Sequence, residues 1–268
     1  MTEPTANAPL DLGAVQRDAV PLRVAFLHAP TARGGAGPLA ALVSQRRTLA
    51  LDLLLYAHAV WPLTNPEAIV ATSSDWARAV GLQEQPGTRA MISRSWSWLE
   101  HHRLITSSPS GRMRAIKALR EDGSGRLWQH PSDEKEPYFR LPHAYWWGGF
   151  ARDLSLSAKA MLLVGISLQA RNEPYFELPL DRGSAWYGLS MRTARLGFRE
   201  LEAARLLRTW AERRASEHSP TGYTLDRRYS LNPIETVAQR RLRRASQTRE
   251  PSDALTGEPG DAITRSGL

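Results

Sequence analysis

Two stretches of this chain follow one fifteen-residue pattern, Met91–Ile105 (MISRSWSWLEHHRLI) and Thr193–Leu207 (TARLGFRELEAARLL). Superposed, they match Leu99 with Leu201, Glu100 with Glu202, Arg103 with Arg205 and Leu104 with Leu206. Both carry an apolar residue at the second position (Ile92, Ala194), an aromatic at the sixth (Trp96, Phe198) and a branched aliphatic at the end (Ile105, Leu207). A short stretch ending in Gly-Leu precedes each copy, Gly81-Leu82 and Gly188-Leu189. A repeated apolar pattern at helical spacing requires two equivalent packing environments, so the chain is expected to build two similar units.

The flanking sequence gives each copy the same company. Arg46–Val60 reads as a helix with Leu49, Leu53 and Tyr56 on one face, and Ser73 or Ser74 can cap a second helix that Gly81 ends. After the first copy, Ile105–Ser107 and Arg112–Arg120 read as a hairpin around Pro109-Ser110-Gly111. In the second half a helix starts at Ser157, Phe176–Leu180 reads as a short strand, and Asp181 can cap a helix through Tyr187. Leu207–Arg214 and Tyr223–Leu231 then form the second hairpin. Asn232-Pro233 reads as cap and first-turn proline of a further helix holding Arg240, Arg241, Arg243 and Arg244. Residues 1–20 and the last twenty read as disordered, residues 121–137 as a linker or exposed loop, and Tyr138–Phe150, with six aromatics, as a docking surface between domains.

Composition narrows the chemistry. A net charge of +8 and an isoelectric point near 10.3 suit a polyanionic partner, although thirty-two arginines beside three lysines also fit a GC-rich genome. There is no cysteine, which excludes disulfides and cysteine-based metal or nucleophile chemistry. The apolar runs are too short or too interrupted to span a bilayer, and the N-terminus carries no signal-like core, so a soluble cytoplasmic protein is expected. Thr31–Pro38 is glycine-rich but lacks the Lys-Ser/Thr ending of a phosphate loop. His101 and His102 diverge by about 100° on a helix and cannot share a metal. No catalytic residue, metal or cofactor is expected.

The repeat helices carry the candidate contacts. In the second copy Ala194, Phe198 and Leu201 fall within roughly a 60° arc, and Arg192, Arg195 and Arg199 share an arc about 120° away. Leu196 also points outward. Arginine's fork matches the two acceptors on a guanine edge, which suits major-groove contact. The first copy presents Arg89, Ser93, Arg94 and Ser97. Its hairpin adds Arg112, Arg114 and Lys117, and the second hairpin adds Arg213, Arg214, Arg227 and Arg228. Surface arginines also commonly pair with nearby glutamates, and Glu200, Glu202 and Glu212 offer such partners here.

Three helices followed by a two-stranded flap, closing on Leu-Glu-x-x-x-Leu-Ile, resemble the winged-helix superfamily of bacterial regulators. That family's last turn usually carries glycine where Arg103 and Arg205 stand here, at a cost of about 1 kcal/mol if the left-handed geometry is kept. Phe139-Arg140-Leu141-Pro142 followed by Asp153–Ala160 is similar to the opening of the winged-helix domains of plasmid and phage replication initiators. The resemblance implies a mainly α fold with small β-hairpins (α+β), built as two winged helix-turn-helix units in tandem. The expected division is a disordered arm over 1–40, a first unit over 41–121, a linker with the docking segment over 122–150, a second unit over 151–232 and a basic helix and tail over 233–268. It implies double-stranded DNA as partner, with self-association or replication and transcription proteins beside it and no membrane. Replication initiation on a plasmid or other mobile element is one role the resemblance implies; a transcriptional regulator would use the same chemistry, and a protein-interaction scaffold is the alternative of another class.

Overall fold

A computed structural model describes residues 10–15, 17–29, 35–61, 68–131, 136–169, 174–178, 186–215, 217 and 222–234. The helices are α1 (Pro38–Ser44), α2 (Thr48–Val60), α3 (Ser73–Ala79), α4 (Thr88–His101), α5 (Ala144–Trp147), α6 (Phe150–Asp153), α7 (Leu156–Gln169) and α8 (Met191–Ala203). The strands are β1 (Ala19–Arg23), β2 (Ile69–Ala71), β3 (Ile105–Ser110), β4 (Met113–Ala118), β5 (Tyr138–Pro142), β6 (Phe176–Glu177), β7 (Leu207–Ala215) and β8 (Tyr223–Leu231). Small antiparallel sheets among helices make this a mixed α/β chain of the α+β kind. One order occurs twice: α2, β2, α3, α4 and the β3–β4 hairpin, then α7, β6, the helical residues Trp186–Tyr187, α8 and the β7–β8 hairpin. The two three-stranded sheets also agree, β2-β4-β3 and β6-β8-β7, with the short strand beside the hairpin's second arm in each.

The repeat fixes how each long helix packs and stops. Ile92, Trp96 and Leu99 of α4 and Ala194, Phe198 and Leu201 of α8 are all buried. Trp96 meets Trp76 edge-on at 4.9 Å, while Phe198 stacks on Tyr229 at 4.5 Å. Both helices end in the same left-handed turn. Arg103 (φ 56°) donates to the Glu100 carbonyl and Leu104 to the Leu99 carbonyl. Arg205 (φ 59°) and Leu206 repeat those bonds to Glu202 and Leu201. These paired bonds, with a buried leucine contact beneath them, form a Schellman termination that sends the chain straight into the hairpin. Arg46 (φ 54°) closes α1 in the same way, so α2 begins at Thr48 rather than at Arg46 as expected. Thr72, not Ser73 or Ser74, caps α3, through a capping box with Asp75.

The halves are joined through one core. The eight residues Ala158–Gly165 of α7 are all buried, and α2 is almost as enclosed. Between these helices the Lys159 ammonium holds both Asp52 carboxylate oxygens, at 2.6 and 2.7 Å. Gly197 lets α8 close onto α7: a Cβ there would lie 2.5 Å from the Ser157 carbonyl oxygen and 2.6 Å from Met161.

Two expectations are corrected. Residues 1–40 are not simply an arm, because β1 pairs with β5 from Ala19↔Pro142 to Arg23↔Tyr138 and Leu12, Val20, Leu22, Phe26 and Leu39 enter the core. Burial against the rest of the chain supplies what this short, aperiodic segment lacks by itself. The segment expected as an exposed linker is also built in at Glu121 and Trp128, both buried. Arg23, itself buried, donates to Glu121 (2.8 Å), Glu136 (2.7 Å) and the Gln129 carbonyl (2.6 Å), and Trp128 Nε1 donates to Glu121 (3.1 Å). These bonds satisfy charges that would otherwise make burial prohibitive.

His58 and His143 are buried as well. Burial pushes His143 down to about 4, with Arg17 acting in the same direction and Asp18 opposing. Burial also lowers His58, opposed by Glu121 and aided by Arg17 and Arg23. Asp52 moves the other way, lifted to about 6 by burial against the pull of Lys159. In the unfolded chain both imidazoles take up protons as the pH falls through about 6.5, whereas the folded rings resist. Asp52 protonates first in the folded state and offsets part of this. The net excess of protons on the unfolded chain makes stability decline as the pH drops from about 6.5 toward 4. Urea melts should show that decline, and His143→Gln should flatten it.

The left-handed arginines give a second test. Arg103→Gly and Arg205→Gly should each raise unfolding stability by up to about 1 kcal/mol, because glycine adopts that turn without the Cβ penalty. Gly197→Ala should lower it by about 1–3 kcal/mol through overpacking against α7. Chemical denaturation of the three variants checks both signs.

Candidate nucleic-acid interface

The outward face of α8 is built by what lies behind it. Ala194, Gly197, Phe198 and Leu201 are buried, which turns Arg192, Arg195, Leu196 and Arg199 to solvent, all four exposed. Ser190 caps the helix by accepting from the Thr193 amide at 3.1 Å. On α4, Arg89, Arg94 and Ser97 are exposed and Ser93 is half-buried. In the register of the repeat, Ser93 and Ser97 occupy the positions of Arg195 and Arg199, and Arg94 that of Leu196. Arg89 and Arg192 both sit in the first turn of their helices, where no acidic residue is present. The positive end of the helix dipole disfavours a cation there, so these arginines do not serve helix stability.

The first hairpin is tied to its helix. Glu100 accepts from the Ser107 amide and hydroxyl, both at 3.0 Å, and Arg114 donates to Ser107 Oγ (3.0 Å) and Ser93 Oγ (3.5 Å). Arg114 is therefore partly engaged in holding the β3–β4 hairpin against α4. Arg112, beside the left-handed Gly111 at the turn, and Lys117 are exposed.

The second hairpin is longer, nine residues in each strand, and most of it stands clear of the body. Its arginines are not equivalent. Trp210 pairs with Arg228, Glu212 with Asp226 and Arg214 with Thr224, which places these side chains on one face. There Arg228 binds Glu212, bonds Glu177 at 3.2 Å and lies 4.2 Å over the Tyr175 ring, and Arg214 is 3.9 Å from Asp226. On the other face Ala211 pairs with Arg227, Arg213 with Leu225 and Ala215 with Tyr223. Arg213 covers the Tyr223 ring at 4.8 Å, while Leu225 is 61% exposed. In the sequence these four arginines look alike. Strand alternation separates them only once the cross-strand register is known. Leu225 carries no local signal in the sequence, because its position beside Arg213 depends on that register.

Arg240, Arg241, Arg243 and Arg244 lie outside the described residues. The aromatic segment is largely internal: Phe139, Tyr145 and Phe150 are buried, whereas Trp147 is exposed. His102 stacks on Trp98 at 3.7 Å, and its Nδ1 lies 2.8 Å from the Trp98 carbonyl oxygen, so it belongs to the packing of α4. Among the described residues no group of three or more histidines, aspartates or glutamates is placed to hold a metal, and no helix is long and apolar enough to cross a membrane.

Comparison with protein-family models, curated proteins and solved structures finds no match to this chain.

Arg228 is placed to stiffen the hairpin. Arg228→Ala should speed amide hydrogen exchange in β7 and β8 and leave that of α4 unchanged. Equal protection in variant and parent would show that the Tyr175–Arg228–Glu212 contacts do not hold the strands.

Proposed function

We propose that this chain is a double-stranded DNA-binding protein that uses two winged helices, one in each half. The twice-repeated order of helix, strand, helix, helix and hairpin, with matching sheet order, supports the winged-helix reading. Within that class, the reading we favour is a replication initiator of a plasmid or other mobile element, which places two such units along one origin. That assignment rests on the resemblance of Phe139–Pro142 and Asp153–Ala160 to those initiators.

The observation that carries DNA binding is the exposed row Arg192, Arg195 and Arg199 on α8. None of the three is in an ion pair among the described residues, although Glu200 and Glu202 lie close in sequence. Glu200 instead accepts from the Ser155 amide at 2.7 Å and from its hydroxyl. Three unpaired guanidinium groups on a rigid face are electrostatically costly among themselves and match the geometry of a phosphate-lined groove. Leu196, between them, is an apolar group of the kind that meets a thymine methyl. The first unit's serines suit backbone contacts, so α8 reads bases and α4 positions the protein.

A transcriptional regulator would use the same chemistry, and the genomic position of the bound site separates the two roles. A protein scaffold would not depend on salt in the same way. Affinity for a library-selected duplex should fall steeply with salt, with a log–log slope of about 0.9 per phosphate contacted. The Arg192→Ala, Arg195→Ala, Arg199→Ala triple variant should keep its fold and lose sequence preference. A shallow salt response, or unchanged preference in the triple variant, would sink this reading.

A further inference from the structure

The β7–β8 hairpin segregates its charge by face. One face holds Arg208, Arg214 and Arg228 together with the carboxylates Glu212 and Asp226, and Glu177 of β6 closes on it. Its ion pairs are internal, from Arg228 to Glu177 and Glu212 and from Arg214 to Asp226. The opposite face carries no carboxylate over its described length: Thr209, Ala211, Arg213 and Ala215 on β7, and Tyr223, Leu225, Arg227 and Tyr229 on β8. At its base this second face is the one that packs on the body, where Tyr229 stacks on Phe198 of α8 and on Phe176. Beyond Tyr229 the same face runs out past the core, and Leu225 is exposed between Arg227, two residues away in its strand, and Arg213, directly across.

A lone surface leucine means little. Here it sits between two guanidinium groups, on the uncompensated face of a hairpin whose other face is self-neutralised and braced by Tyr175 and Trp210. We infer that this hairpin docks on DNA by one face only, with Arg213 and Arg227 entering the minor groove and Leu225 acting as a wedge between base pairs that bends the duplex. The inference rests on the DNA-binding reading above and extends it from attraction to deformation. Two cations with no carboxylate among them complement a narrow, A·T-rich minor groove, whose negative potential attracts arginine. An apolar side chain held between them by a stiff ribbon is the element that unstacks a base step, and such wedges kink DNA by tens of degrees. Because the face continues from the contact with α8, the kink falls next to the segment that α8 covers. Arg214 and Arg228 take no part in DNA contact.

The test uses the full-length protein and two dye-labelled duplexes of equal length, one A·T-rich and one G·C-rich, read by energy transfer between their ends and by salt titration. The parent protein should bend the A·T-rich duplex more, and the minor-groove drug netropsin should compete. Leu225→Ala should still bind but lose most of the bend. Arg213→Ala and Arg227→Ala should each reduce the log–log salt slope by about 0.9, whereas Arg214→Ala leaves it unchanged. Circular dichroism and thermal melts confirm that the variants fold. Full bending by Leu225→Ala, or an equal loss of slope on Arg214→Ala, would overturn the inference while leaving DNA binding in place. A parent protein that binds neither duplex at any salt would overturn both; binding without a bend overturns the wedge alone.

Discussion

Lys159 and Asp52 meet inside the protein, and the geometry of the whole chain depends on how that charge is accommodated. Each sits on the first helix of its copy of the repeated order, and each helix is enclosed on nearly every side. A buried ammonium without a carboxylate would cost several kcal/mol, so the two helices are held where Nζ reaches both Asp52 oxygens. An apolar pair of similar volume would pack as well and tolerate sliding. An ion pair needs its two partners in register, so it constrains how the helices meet more than it adds stability. Burial pushes the Tyr145 hydroxyl well above the usual phenol range, and the Asp52 carboxylate adds to that push.

From that fixed pair the outward faces follow. α4 packs on α2 and α8 packs on α7, the latter closely because Gly197 admits the Ser157 carbonyl. Each of these helices then turns through a left-handed arginine into its hairpin. Arg103 and Arg205 hold a conformation that glycine would hold more cheaply, in both copies. Arg103 and Arg205 are both exposed, so each places a positive charge at the root of its hairpin.

Much of this was legible in the residues because the signals were local. The apolar spacing of the repeat sets its buried face, and the excluded arc is where Arg192, Arg195 and Arg199 emerge. The hairpins were visible from alternation and turn residues. What stayed hidden depended on partners far along the chain. β1 and β5 are paired over more than a hundred residues of sequence, and α1 follows a glycine-rich stretch that reads as a loop. Glu121 looks like one more acid in a polar linker; it is buried only because Arg23 and Trp128 reach it. The division of the second hairpin into a neutralised and an uncompensated face likewise needs the register, which no local pattern reveals.

The two copies thus share a scaffold and differ at their surfaces. Positions that face the core keep their character, Trp96 with Phe198 and Leu99 with Leu201, because packing density leaves little freedom there. Outward positions differ between the copies, Ser93 and Ser97 standing where the second copy has Arg195 and Arg199, and the hairpins differ too. The first is shorter and bound to α4 through Glu100, Ser107 and Arg114, which tie its helix to its flap. The second is longer and braced from within, with one face left uncompensated. A protein whose two halves are locked together by Asp52 and Lys159 presents these unlike surfaces at a fixed separation. On the DNA-binding reading proposed above, these unlike surfaces favour one orientation on the duplex over its reverse, although the architecture is repeated.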